Sequence, residues 1–230
     1  MLSVAASTYI EEVGVLGRQK IELQTKGVRI PAELLDELES QWNAPAVKNG
    51  RFVLSLESPE AGRSTTVLII NGKFADKSPL HLVKNSAGSF EVWKDDKKFT
   101  NVVLLPRPKY YDSLTSTGVQ MSDIAVIGEP NHLRSVLNQR CIYQEMGRSC
   151  KFCAIESWWA GYQDKSPALV AEVARAACSE GIVKHATLST GTAATPGRGL
   201  EGLVETAKLI HQHVDITKTL NFEPVKDIGL

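Results

Sequence analysis

Cysteine is scarce in this chain, with four in 230 residues. That is too few for a disulfide-stapled scaffold, and their clustering favours metal or redox ligation instead. Net charge is missing: 26 Lys and Arg stand against 26 Asp and Glu. A global basic footprint for nucleic acid or an anionic membrane is therefore excluded. No apolar run approaches the roughly 20 residues of a membrane span. The opening Met1–Ala6 lacks a basic segment and a long apolar core, so no secretion signal is read there. Internal repeats at solenoid periods are absent too. Together these absences make the cytoplasm the expected compartment, with neither nucleic acid nor membrane as partner. What is present, 43% hydrophobic and 23% charged residues, suits a folded domain rather than a disordered one.

Two regions of different rhythm follow one another. Residues 5–40 read as helical, with Gly27 as a stop and Pro31 opening a second, shorter helix. Residues 51–105 then read as strands: 51–56, 65–70, 89–93 and 99–105. Short turns between them predict an antiparallel unit, and Asn71-Gly72 carries a hairpin signal. Pro106 and Pro108 end this part, so the expected division is 1–110 and 111–230.

From about residue 132 strands and helices alternate. Strands are expected at 133–139, 185–190 and 217–223, and helices at 167–178 and 199–213. Ser166 is the expected N-cap of the first helix, with Pro167 at its first position. Alternation of this kind predicts a parallel sheet. The expected fold class is thus α/β: a helical and antiparallel β region, then βα units of a parallel sheet.

Three of the cysteines, Cys141, Cys150 and Cys153, form the pattern C-x8-C-x2-C. A loop of this length folds back on itself at little entropic cost, so three thiolates can wrap one soft-metal centre. Three is the informative number. A structural zinc wants four closed ligands, and electron-transfer iron–sulfur clusters usually take four cysteines. Three thiolates on a four-iron cube leave one iron open. Arg140, Arg148 and Lys151 place positive charge beside the thiolates that ligation requires. Cys178 falls on the apolar stripe Val170, Val173, Ala174, Ala177 and reads as a small buried hydrophobe.

The C-x-F-C ending, with Phe152 before the last cysteine, resembles the cluster loop of radical S-adenosylmethionine (SAM) enzymes. The commonest spacing there is C-x3-C-x2-C, and eight residues replace the first three here. The segments Leu137–Tyr143, Cys150–Ile155, Ser189–Ala193 and Pro106–Asp112 are similar to a biotin-synthase-like subfamily encoded beside nitrilases. The resemblance covers about residues 102–225 and is weaker before them.

The resemblance implies a partial TIM-type barrel; a complete one takes about 250 residues, so the stretch from Cys141 to Leu230 reads as the first βα units of a truncated radical SAM barrel. It implies a [4Fe-4S] cluster on Cys141, Cys150 and Cys153 whose open iron chelates SAM. It also implies an electron donor such as flavodoxin or ferredoxin, reductive cleavage of SAM to methionine and a 5′-deoxyadenosyl radical, and hydrogen abstraction from a small-molecule substrate. Phe152 matches the aromatic position beside the adenine. Ser189, Thr190, Gly191 and Thr192 fall where the family has a Gly-Gly-Glu-like segment for the SAM amino group, although one glycine and no glutamate are present. Glu223 is the residue expected to reach SAM or substrate. His132 and His185 read as structural, Trp158 and Trp159 as packing, and Pro196–Gly199 as a helix lead-in. Two other readings stand beside this enzyme: a non-catalytic zinc module using the three cysteines and a histidine, and a degenerate interaction subunit that keeps the fold.

Overall fold

A computed structural model describes residues 4–42, 51–58, 63–153, 155 and 164–225. The chain divides into two compact units, Met1–Arg107 and Pro108–Leu230.

In the first unit α1 spans Val4–Lys26 and stops at Gly27, whose φ of 69° an L side chain rarely adopts. Helix α2, Ala32–Gln41, starts after Pro31. Five strands follow: β1 Arg51–Ser58, β2 Arg63–Ile70, β3 Leu80–Lys84, β4 Phe90–Lys94 and β5 Lys97–Val103. They form one antiparallel sheet in the order β2-β1-β5-β4-β3. The expected antiparallel unit is there, but Asn71-Gly72 does not close a hairpin. Strands β2 and β3 lie at opposite edges of the sheet, and Gly72 opens a 3-10 turn, Gly72–Phe74, on the way across. The dipeptide bends the chain without choosing its strand partner. Leu16, Leu23 and Leu38 from the helices share one core with Leu54, Leu56, Leu80, Leu82 and Val92 from the sheet. Each such side chain contributes about 1.5–3 kcal/mol on burial.

The second unit holds a four-stranded sheet in the order β6-β7-β8-β9: Val126–Glu129, His132–Val136, His185–Ser189 and Thr217–Asn221. Strands β7, β8 and β9 run parallel, in register from His132 through His185 to Thr217. The sheet is mixed rather than wholly parallel, because β6 pairs antiparallel with β7. Pro130 and Asn131 turn the chain between them, Asn131 at a φ of 60°. The four described strands form an open sheet, not a closed barrel.

Alternation in β7 and β8 buries Leu133, Ser135, Ala186 and Leu188, and leaves His132, Arg134, His185 and Thr187 half-buried on the other face. Helix α3 is the short Met121–Ile124 turn. Helices α5, Pro167–Ser179, and α6, Leu200–His213, pack on each other and against β7 and β9. As its sequence predicts, α5 is capped by the Ser166 side chain, which accepts from the Leu169 amide at 3.4 Å. Its buried stripe includes Val170, Val173, Ala174 and Ala177, while Cys178 is half-buried rather than fully enclosed. No described helix is long and apolar enough to cross a membrane.

Candidate functional site

The cysteine segment leaves the carboxyl end of β7. Its two ends are drawn together there: Asn138 and Asp164 form a β-bridge, and the Lys165 amide donates to the Leu137 carbonyl at 2.8 Å. The buried Lys165 ammonium donates to the Val136 carbonyl at 2.7 Å. Burial pushes the pKa of this lysine down to about 8. Strand β7 stops at Val136, short of the expected 139, and from Asn138 onward the backbone meets the chain that follows β8. The Leu137 amide donates to Ser189, and the Gly191 amide to Asn138.

Gly191 explains how close that approach is. A Cβ there would collide with the carbonyl of Arg140, so only glycine lets the two backbones touch. One residue further on, the Thr192 carbonyl accepts from the Ile142 amide at 2.9 Å. Ser189 ends β8, and Thr190, Gly191 and Thr192 follow in the connection to α6. Thus the segment Ser189–Thr192, expected near SAM, lies directly against the start of the cysteine segment.

Cys141 is half-buried and caps the short helix α4, Ile142–Glu145, its carbonyl accepting from the Gln144 and Glu145 amides. Cys150 and Cys153 are exposed and belong to one turn, with the Cys153 amide donating to the Cys150 carbonyl at 2.9 Å. Phe152, between them, is 92% exposed. Among the described residues, no three His, Cys, Asp or Glu side chains converge into a metal-holding group. The donor set nevertheless fits an iron–sulfur cluster in kind: three free thiols in one short segment, two of them accessible on a turn. Trp158 and Trp159 lie outside the described residues.

Glu223 sits two residues beyond β9. It accepts from the Tyr143 hydroxyl at 2.8 Å and pairs with Arg198 at 3.1 Å. Arg198 also donates to the Tyr143 oxygen at 3.0 Å, which closes a triangle. The Tyr143 hydrogen bond, with Thr192 and Arg198 adding to it, holds the Glu223 carboxyl below the usual carboxylate range. Sequence reasoning missed Tyr143, Arg198 and Lys165. No short-range pattern links Tyr143 to partners 55 and 80 positions away. The Gln139 side chain is 1% exposed, and neither of its amide atoms has a partner among the described residues.

His132 and His185 stand at the opposite, amino end of the parallel strands. Compared with known proteins, the chain matches no family model, no curated protein and no solved structure.

Proposed function

We propose that this protein is a radical SAM enzyme of the biotin-synthase-like kind, its second unit a partial TIM-type barrel. The observation that carries the reading is the position of the three-cysteine segment at the carboxyl end of a parallel strand, where α/β sheets and barrels gather their active sites. The neighbouring loops after β8 and β9 meet the same segment, which supports a shared site.

In this reading Cys141, Cys150 and Cys153 hold three irons of a [4Fe-4S] cluster. Bound there, such a cluster would supply the chemistry for reductive cleavage of SAM. The chain's own part is to bind, orient and exclude water. Phe152 offers an exposed ring for the adenine. The hydroxyls of Ser189, Thr190 and Thr192, and the Glu223 carboxylate, provide polar contacts around the amino-acid end. Gly191 admits the close backbone approach that keeps these groups beside Cys141. The partners are a small-molecule substrate and a low-potential electron donor such as flavodoxin or ferredoxin, in a reducing cytoplasmic setting that suits four free cysteines.

Anaerobic reconstitution with iron and sulfide tests the reading. About four irons per chain are expected, lost in Cys150→Ala. Dithionite and SAM should then yield methionine and 5′-deoxyadenosine. One tetrahedral zinc after aerobic purification, with no iron uptake and no SAM cleavage, would overturn it in favour of a zinc module. Full iron uptake without any SAM cleavage would leave a degenerate, non-catalytic subunit.

A further inference from the structure

The triangle of Tyr143, Arg198 and Glu223 joins three connections that follow three consecutive parallel strands. Tyr143 lies in the cysteine segment after β7, Arg198 precedes α6 after β8, and Glu223 follows β9. Tyr143 is held at both ends. Its hydroxyl donates to Glu223 and accepts from Arg198, while its carbonyl accepts from the Arg148 amide at 2.7 Å. It stands two residues after Cys141, and Arg148 stands two before Cys150. Through its backbone carbonyl and its hydroxyl, this one residue ties the stretch that connects the first two cysteines to the connections after β8 and β9.

The geometry of Arg198 points the same way. Its φ is 53°, a conformation that bulky residues rarely adopt. Such strain persists only where surrounding contacts over-determine it. Here the Arg198 amide donates to Thr195 and its carbonyl accepts from Ala193, a tight turn that presents the guanidinium to Tyr143 and Glu223. The Arg198 and Glu223 side chains keep 33% and 29% of their surface exposed. Ion pairs this open contribute little to global stability. The arrangement thus has a local effect on the cysteine segment and little weight in the core.

We infer that Tyr143, Arg198 and Glu223 form a latch of positioning residues that sets the Cys141–Cys150 stretch against the connections after β8 and β9. This rests on the proposed function for its purpose but not for its existence. When the latch is closed, the first cysteine is presented in one place. When it is open, the stretch from Tyr143 to Arg148 loses its side-chain tie to the connections after β8 and β9 and keeps only the backbone bond of Ile142 to Thr192.

The test uses the full chain, comparing Tyr143→Phe, Glu223→Gln and their double variant with the parent. Amide hydrogen exchange over residues 142–148 is expected to rise about two- to tenfold in each single variant, as for loss of one hydrogen bond. The thermal midpoint should stay near the parent's, a combination that a merely structural role would not produce. The double variant should exchange no faster than the singles, because both break the same device. Unchanged exchange in both single variants overturns the latch, as does a double variant whose effects simply add. Should one variant fail to fold, Arg198→Lys, which keeps the charge but loses the fork, supplies the same readout. Iron uptake is measured alongside. Faster local exchange with no iron in the parent keeps the latch and removes the radical SAM reading. Normal iron uptake with unaltered exchange does the reverse.

Discussion

The imidazole rings of His132 and His185 stack with centroids 4.5 Å apart and planes 13° from parallel. They occupy paired positions on β7 and β8, each with its Nε2 against a threonine hydroxyl: Thr187 at 2.6 Å and Thr219 at 2.8 Å. Glu129 faces His132 at 3.4 Å and also pairs with Arg134. Two charged imidazoliums in this stack would repel each other.

Acid should therefore weaken the second unit. Burial, then His185 and Arg134, lower the pKa of His132 against the opposing pull of Glu129. The unfolded chain then binds the proton more readily than the folded one. The stabilising contribution is complete above the unfolded value of about 6.5 and is lost as pH falls from there through the folded value. Urea midpoints at about pH 7.5 and pH 5.5 should show the fall. His132→Gln should flatten it, and a slope equal to the parent's would contradict the assignment.

Gly191→Ala should loosen the start of the cysteine segment. The added methyl meets the Arg140 carbonyl, which is backbone and has little room to retreat. A cost of about 1–3 kcal/mol is expected, together with faster exchange of the Ile142 amide. Chemical denaturation and hydrogen exchange of the variant measure the two effects.

The four thiols should not react alike. Burial raises the pKa of Cys178 on α5, and nearby Lys218 offsets this only in part. Cys150 and Cys153 are exposed. Alkylation followed by peptide mass mapping should label Cys150 and Cys153 first and Cys178 well behind them. Cys178→Ala should leave iron uptake untouched.

Leu188 lies fully buried in β8, the strand flanked by β7 and β9. Its replacement by alanine should destabilise the second unit by about 2–5 kcal/mol. That is a large part of a typical domain's whole stability, about 5–15 kcal/mol. A urea titration monitored by far-ultraviolet circular dichroism gives the value.

Periodic, locally signalled elements were the legible part of this chain. Helix α5 could be read because Ser166, Pro167 and the stripe from Val170 to Ala177 all report on residues within one or two turns. Strands β7 to β9 could be read from alternation. Strands β3 and β6 escaped; β6 is only four residues long, with Gly128 inside it. Strand order escaped as well. Asn71-Gly72 dictates a bend, but which edge receives β3 depends on pairing across the whole sheet. At the candidate site, the cysteines stand out by spacing alone. The union of Tyr143 with Arg198 and Glu223 depends on strand register and on two connections, which no local pattern encodes.

The bridge between Asn138 and Asp164 brings the departure and return of the cysteine segment to one point at the end of β7. Insertions between those two residues need not disturb this closure, since loop closure grows only slowly more costly with length.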